Sequence, residues 1–232
     1  MTVSEPKPMS RTKVVAYAIG LPLALLALVF LPVGRLDWTP GWIFIAFIII
    51  VYGASALILA RVNPVIYRAR SRFQPGTQRW DFVLLWLMLP AMVAEIPLAT
   101  FDSGRTGWSA VPLWIVILGY VLLAAGIGLS TWAQAVNRFF EPGVRLQRER
   151  DQQVINSGPY AIVRHPGYVG AVMIFAGLAL ALASCWALIP AALASAVLIV
   201  RTNWEDSLLR AGLDGYAVYA LRVRFRLLPG IW

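Results

Sequence analysis

The residues best suited to chemistry lie in two short stretches. The first, GPYAIVRHPGYVG at 158–170, contains the only histidine of the chain, His165. The second, RTNWED at 201–206, contains Arg201 and Glu205. Because these two residues are four apart, a helix would place them on one face, within reach of each other and of a shared ligand. A guanidinium fork can bind a carboxylate through two parallel hydrogen bonds, and an imidazole or a carboxylate can accept a proton.

The apolar run between these stretches must bring them together if they form one site. Residues 166–200 contain no charged side chain. The run is too long for a single crossing of a bilayer, for which about 20 apolar residues suffice. Ser184 and Cys185 lie near its middle and indicate a turn. The sequence therefore predicts a tight hairpin of two short helices, with the two polar stretches side by side at its feet.

The composition of the remaining chain is typical of an integral membrane protein. The sequence is 59% hydrophobic and 13% charged, whereas soluble domains contain about 25% charged residues. Apolar stretches at 14–34, 41–60, 82–101 and 106–137 are each long enough to cross a membrane. We therefore expect an all-α integral membrane protein with about six membrane segments, the last two forming the hairpin.

The basic residues predict the orientation of these segments. Of the 20 lysines and arginines, all but Arg35 and Arg105 fall before the first segment or in alternate connections and the tail. Short cytoplasmic loops retain basic residues, so both termini are expected to be cytoplasmic, in the inner membrane if the source is bacterial. The net charge of +9 then reflects topology and contact with lipid headgroups, and nucleic-acid binding is not expected.

Two further features restrict the class of protein. The first apolar run is longer than the hydrophobic region of a signal peptide, so we expect it to remain as an anchor. Cys185 is the single cysteine, which excludes an internal disulfide and a cysteine-based metal cluster. No metal site is predicted.

The polar residues at the hairpin feet have a simpler alternative interpretation. At an ordinary membrane boundary, arginines extend toward the headgroups, tyrosines line the interface and prolines turn the loop. A location at the membrane boundary does not by itself explain why Gly-Pro-Tyr, Arg-His-Pro-x-Tyr and Arg-x-x-x-Glu converge at one hairpin. A transporter or lipid-binding scaffold is a second alternative, suggested by Glu95 within an apolar segment and by proline-interrupted segments. Glu95 stands near the end of its segment, which favours a wet boundary position.

The two stretches together resemble a known family. GPYAIVRHPGY, followed after the hairpin by RTNWED, is similar to the isoprenylcysteine carboxyl methyltransferases and their bacterial relatives, membrane enzymes that use S-adenosylmethionine. The resemblance covers residues 137–232. It implies a four-segment transmembrane region at 1–136 and a methyltransferase core at 137–232, comprising a cofactor loop, the hairpin and a cytoplasmic tail.

The resemblance also implies a cytoplasmic cofactor pocket formed by the C-terminal half. Arg201 is implied to face the substrate as the catalytic residue. The family often has two adjacent glutamates where this chain has Glu205 and Asp206, which leaves the role of Asp206 open. The residues implied to contact S-adenosylmethionine are Arg145, Gln152, Gln153, Val154, Ile155, Tyr160, His165, Pro166, Gly167, Tyr168 and Glu205.

The implied reaction is carboxyl O-methylation of a prenylcysteine-like acceptor. A phospholipid amine or a small thiol remains an alternative acceptor. An ionised carboxylate needs no general base, whereas an amine or a thiol must lose a proton, for which His165 and Glu205 are candidates. The expected partners are a lipophilic or lipid-linked substrate and membrane lipids, with the oligomeric state left open.

Two polar segments outside the hairpin are predicted to lie at the membrane surface. The basic loop at 61–81 contains RARSR, which either binds anionic lipid or only retains the loop in the cytoplasm. The tail is predicted to form a helix over 202–211 and a second helical stretch after AGLDG. Its closing RVRFRLLPGIW is expected at the interface, with arginines toward lipid phosphate.

Overall fold

All regular structure in the computed structural model, which describes residues 11–70 and 73–232, is helical. The all-α prediction is therefore confirmed for this part of the chain. The eight α-helices of the described ranges are α1 (Arg11–Val33), α2 (Thr39–Val62), α3 (Val65–Arg70), α4 (Arg79–Phe101), α5 (Leu113–Val136), α6 (Pro166–Ala181), α7 (Leu188–Gly212) and α8 (Tyr216–Arg222).

Three of the described helices are long and apolar enough to cross a membrane. They are Thr39–Val62, Arg79–Thr106 and Leu113–Val136, the second including a π-helical turn after α4. Ile19–Val33 and Pro166–Ala181 are shorter apolar helices. The count of six crossings and the cytoplasmic placement of both termini therefore stay predictions. Lys7 and the end of RARSR lie outside the described residues.

The predicted hairpin is present as α6 and α7. A turn at 182–187 joins them, and the two helices pack together. The buried carboxylate of Asp102 fastens this turn to the end of α4, since it accepts hydrogen bonds from Ser184 Oγ at 2.5 Å and from Ser109 Oγ at 2.6 Å. The feet of the hairpin consequently face the opposite end of the bundle, where α2 and α5 also end and α4 begins. We call this the site end.

Helices α5 and α6 form the most extensive contact in the bundle, and glycines make their close approach possible. A Cβ atom on Gly119 would lie 2.3 Å from the backbone nitrogen of Ala181, and one on Gly177 would lie 2.6 Å from that of Leu123. Such distances leave no room for any side chain, so the two backbones touch directly. We call this contact the glycine seam.

The side chains of α1 that pack on the core lie in its second half, as far as its side chains are described. Val29, Phe30 and Val33 are buried against the core, whereas the described residues from 19 to 24 are exposed. Helix α2 packs mainly on α5, while α4 packs on α7 and α1. Toward the site end, the cytoplasmic end of the predicted topology, side chains of α2 and α4 line a common cavity, and no described residue of α1 is part of its lining.

The tail differs from its prediction in two respects. Its first helix is the continuation of α7, which runs unbroken to Gly212 before α8 begins at Tyr216. The closing segment curls on itself, since the carbonyl of Trp232 accepts hydrogen bonds from the backbone N–H groups of residues 226 to 228 at 2.9 to 3.2 Å, and it packs on the protein, since the carbonyl of Arg226 accepts from the His165 N–H at 3.0 Å. The guanidinium of Arg226 accordingly binds a buried carboxylate, that of Asp206, in place of the expected lipid phosphate.

Candidate functional site

A cavity of about 810 Å³ occupies the site end, a size typical of small-molecule sites. Eleven of the twelve residues predicted from the sequence line it. The exception is Pro166, which is buried as the first residue of α6, a position where proline's missing N–H costs nothing. The cavity is not confined to the C-terminal half, because α2, α4 and α5 supply much of its wall.

The loop between α5 and α6 is folded over the cavity by buried polar contacts. Glu141 binds Arg145 through two hydrogen bonds at 2.7 and 3.0 Å, and Gln147 Nε2 donates to the carbonyl of Phe139 at 2.7 Å. The backbone N–H of Gln147 in turn donates to Gln152 Oε1 at 2.8 Å. Burial would lower the pKa of Arg145, but its hydrogen bonds with two glutamates, Glu141 foremost, raise it instead. Arg145 and Gln152 thus hold the loop in shape as well as bordering the cavity.

Arg201 is fixed by a carboxylate that the sequence analysis did not identify. Asp81 in the first turn of α4 is completely buried and accepts hydrogen bonds from Arg201 Nε at 2.6 Å and Nη2 at 3.1 Å. Asp81 also accepts from the backbone N–H of Val144 at 2.8 Å, and Arg201 Nη2 donates to the carbonyl of Pro142 at 2.7 Å. Arg201 therefore ties α7 to α4 and to the cavity loop.

The expected contact between Arg201 and Glu205 is absent from the described structure. The two residues do share a helix face, but the buried Asp81 needs a cationic partner and takes the guanidinium. Glu205 instead accepts a hydrogen bond from the hydroxyl of Tyr168. The guanidinium carbon of Arg201 lies 5.3 Å from the centre of the Tyr168 ring, so Arg201 reaches Glu205 through this tyrosine.

Three side chains stack beside the cavity. The ring of His165 lies parallel to that of Tyr168, with centroids 5.6 Å apart, and Arg201 covers Tyr168 as described. Since Tyr168 is held on both sides, the Glu205 carboxylate that it hydrogen-bonds has a defined position. Within the described ranges, Glu205 has no ion-pair partner and borders the cavity.

Asp206, whose role the sequence left open, is the centre of a buried ion cluster. Its carboxylate is completely buried and accepts hydrogen bonds from Arg164 at 2.7 and 3.0 Å, Arg226 at 3.0 Å, Arg210 at 3.0 Å and the hydroxyl of Tyr216 at 2.9 Å. Burial alone would raise the pKa of Asp206, but the hydrogen bonds from His165 and Arg164 hold it far below its usual range. Asp206 thus remains charged and fastens the tail.

This cluster closes the cavity from the tail side. The backbone N–H groups of Arg164 and His165 donate to the carbonyls of Phe225 and Arg226, both at 3.0 Å. Burial, followed by the charge of Asp206, raises the pKa of Tyr216 far above its usual value, so its hydroxyl stays protonated as a donor. The His165 imidazole is 3.4 Å from Asp206 Oδ1 and is therefore engaged structurally.

The extended segment 152–155 offers unpaired backbone groups to the cavity. In the described chain, its N–H groups have no hydrogen-bond acceptor in the protein, although all four residues line the cavity. Tyr160, also in the cavity lining, is fixed by two hydrogen bonds: its hydroxyl accepts from Asn137 Nδ2 at 3.0 Å and its carbonyl accepts from the Tyr219 hydroxyl at 2.7 Å.

The cavity lining fits the charge pattern of S-adenosylmethionine. This cofactor carries a sulfonium and an ammonium, for which the Glu205 carboxylate and the ring of Tyr168 are suitable partners. Its carboxylate and adenine require hydrogen-bond donors, which the free amide groups of 152–155 and the side chain of Gln153 supply. These residues would hold the cofactor.

Several residues that shape the site were not found from the sequence. The sequence gives only a weak indication of Asp81, which is an acidic residue in the first turn of an apolar helix, directly after a basic loop. Tyr216 and Tyr219 lie on a short helix whose pattern indicates packing only. Arg70, at the end of α3, also borders the cavity, whereas the sequence pattern indicated only that it belongs to a basic loop.

The comparisons with known proteins point in the same direction. Residues 114–213 match the family model of phospholipid methyltransferases. The match includes most of α5, the cavity loop, the hairpin and the Arg201 to Asp206 stretch, but it covers less than half of the chain. No curated protein matches the sequence. The similarity indicates a membrane methyltransferase, and the prenylcysteine specificity stays a prediction.

Proposed function

We propose that the chain is an S-adenosylmethionine-dependent methyltransferase whose acceptor is carried by a membrane lipid. The observation that carries the proposal is the lining of the cavity, which combines polar residues around Glu205, here called the polar pocket, with apolar side chains between the helices, here called the apolar arm. The polar cofactor alone does not account for these apolar side chains, whereas the hydrocarbon chain of a lipid would contact them favourably.

The apolar arm reaches the lipid-facing surface. Its lining includes Tyr52 on α2 and Trp86, Leu89 and Met92 on α4, all of which are exposed on the helix surface. These side chains border the space between α2 and α4, whose lining includes no described residue of α1. We call this space the lateral gap. An acyl or prenyl chain could occupy it while the headgroup enters the polar pocket.

The chemistry requires alignment more than proton transfer. When bound, S-adenosylmethionine would supply an activated methyl group, so that transfer forms a carbon–nitrogen or carbon–oxygen bond and leaves a neutral thioether. Glu205 and Tyr168 would hold the positive end of the cofactor, and the stack of Arg201, Tyr168 and His165 would fix their geometry. Holding the reacting atoms at about 3 to 3.5 Å accounts for much of the rate enhancement in such reactions.

The acceptor class is supported by two different observations. The match to phospholipid methyltransferases favours a phospholipid amine, whose ammonium must lose a proton. Glu205 is the best-placed acceptor for it, because His165 is engaged with Asp206. The resemblance of GPYAIVRHPGY and RTNWED favours a prenylcysteine carboxylate, which needs no base.

Binding of S-adenosylmethionine and its demethylated product to the purified protein tests the proposal most directly. Isothermal titration should detect binding, and Glu205→Gln should weaken it at least about tenfold, since a charge-assisted contact is lost. Glu95→Gln is the matched control, because Glu95 lies outside the cavity lining.

Glu95 is 1% exposed, so the wet boundary position expected for it is wrong. In a transporter or lipid-binding scaffold, Glu95→Gln should damage activity more than Glu205→Gln does.

A panel of acceptors then separates the two candidates. Labelled methyl transfer should be compared for phosphatidylethanolamine, a prenylcysteine analogue and a volatile thiol. Absence of cofactor binding at millimolar concentration, together with no transfer to any acceptor, would overturn the proposed function.

A further inference from the structure

Arg70 is a cation at the cavity that no carboxylate of the described residues neutralises. It ends the short helix α3, which folds back beneath α2 through a hydrogen bond from the Tyr67 hydroxyl to the carbonyl of Ala56. In the described parts of the chain, Arg70 forms no ion pair, and its guanidinium contacts an aromatic ring. Every other arginine bordering the cavity has an acidic partner.

The aromatic contact places the Arg70 guanidinium over the cavity. Its central carbon lies 5.2 Å from the centroid of Phe140, and Phe140 itself packs against Gly167 at the start of α6, where a Cβ would approach its ring to 2.8 Å. Stacking on the ring leaves the N–H groups at the guanidinium edge free for a ligand. Arg70 is exposed and borders the cavity, so its guanidinium is accessible to a ligand.

The electrostatic surroundings of Arg70 are positive. Burial and, secondly, the nearby charge of Arg201 lower the pKa of Arg70. Arg201 is compensated by Asp81, but Arg70 has no such partner among the described residues, so the junction of the polar pocket and the apolar arm carries uncompensated positive charge. An anionic ligand that binds at the cavity would neutralise this charge and could accept hydrogen bonds from the free guanidinium edge.

We propose that Arg70 binds the anionic group of the lipid acceptor, a phosphodiester or a carboxylate, at the junction of the polar pocket and the apolar arm. This inference rests on the proposed function for the identity of the ligand as an acceptor. Arg70 would thereby set the depth to which the headgroup enters, with its hydrocarbon chain left in the lateral gap and its nucleophile directed toward Glu205.

The test compares matched lipids in detergent micelles by equilibrium binding, which requires no catalysis. One pair is phosphatidylglycerol, a phosphodiester, and diacylglycerol with the same acyl chains, and the second is a prenylcysteine carboxylate and its amide. The proteins are the unchanged chain, Arg70→Gln, Arg70→Lys and the control Arg61→Gln, which removes an equal charge from an exposed position outside the cavity lining. Inorganic phosphate serves as a competitor without a hydrocarbon chain.

The anionic member of at least one pair should bind roughly ten- to a hundredfold more tightly than its neutral partner. Arg70→Gln should abolish this preference, Arg70→Lys should keep part of it, and Arg61→Gln should keep all of it. The pair that shows the preference identifies the anion as phosphate or carboxylate. Competition by inorganic phosphate at millimolar concentration would show that the site also accepts the free anion.

Two outcomes would overturn the inference. One is an anionic preference that survives in Arg70→Gln, and the other is equal binding of charged and neutral lipids by the unchanged protein. In a protein that does transfer methyl groups, Arg70→Gln should raise KM for the lipid at least about tenfold and leave cofactor affinity unchanged. A chain that binds anionic lipid through Arg70 but binds no cofactor would refute the proposed function and not the anion site.

Discussion

Replacing Asp81 with asparagine should destabilise the protein and disorder the cavity wall at the same time. Asp81 is completely buried and accepts three hydrogen bonds, two from Arg201 at 2.6 and 3.1 Å and one from the Val144 N–H at 2.8 Å. Asparagine keeps the shape but removes the charge and presents N–H groups to a guanidinium. Arg201, which is 7% exposed, would then be a buried cation without compensation.

The expected size follows from the cost of breaking a buried ion pair by removing one partner, about 3 to 5 kcal/mol. For a chain of this length, each kcal/mol lowers the unfolding temperature by about 2 to 4 °C. The midpoint should therefore fall by about 6 to 20 °C. The matched control is Asp37→Asn, because Asp37 is exposed and its contact with Arg35 is 3.8 Å long, so its midpoint should barely move.

Tryptophan fluorescence during heating in detergent measures these midpoints, since the chain contains 10 tryptophans. The double variant Asp81→Asn with Arg201→Gln should lose less than the sum of the two single variants, because each single change leaves the other partner buried and alone. A shift below about 2 °C for Asp81→Asn, or strictly additive losses, would show that this ion pair does not join α4 to α7 as described.

The remaining predictions concern the site, the packing and the response to pH. Arg201→Lys should lower kcat at least about tenfold while cofactor affinity, measured by titration, stays within about threefold; a collapse of affinity would mean that Arg201 holds the cofactor. Gly177→Ala should destabilise the protein by about 1 to 3 kcal/mol, because its Cβ would strike the backbone of Leu123. Gly128→Ala should be neutral or slightly stabilising in the same thermal assay, since no heavy atom lies within 4 Å of the place that its Cβ would take; equal losses would refute the seam. The pKa of Asp206 in the folded protein is far below its unfolded value of about 4. The stabilisation that its charge provides is therefore complete above about pH 4 and is lost progressively as the pH falls further. Midpoints recorded from pH 6 to pH 3 should therefore fall with acid, and Asp206→Asn should flatten that dependence.

The helical hairpin could be predicted because it depends only on lengths. An uncharged run of 35 residues is too long for one crossing and about right for two short ones, so the two ends of the run are expected to meet at one side. The placement of His165 and Arg201 side by side at those feet followed from the same consideration, whereas Arg145, residues 152–155 and the cofactor and substrate roles came from the resemblance to a known family. Their individual contacts depend on neighbours that are remote in the sequence.

The contacts between helices could not be predicted in the same way. Arg201 and Glu205 are correctly spaced for one helix face, but the partner of Arg201 lies 120 positions earlier in the chain. Nothing local to Asp81 indicates that α4 will pack on α7. Similarly, Asp206 gathers Arg164 from before α6 and Arg226 from the tail, a convergence that depends on tertiary folding. Segment length was therefore sufficient to predict the hairpin, whereas the ion pairs depend on how the helices pack together.

The glycine seam between α5 and α6 limits which helices can move relative to each other. Two backbones in direct contact have no compressible side chains between them, so this pair should behave as one stiff unit. If the protein binds a long-chain lipid as proposed, that lipid should enter from the other wall, by movement of α2 with α3 away from α4. Amide hydrogen exchange should accordingly be slowest along the seam and fastest in α3, and a spectroscopic ruler between α2 and α4 should report widening when a lipid enters.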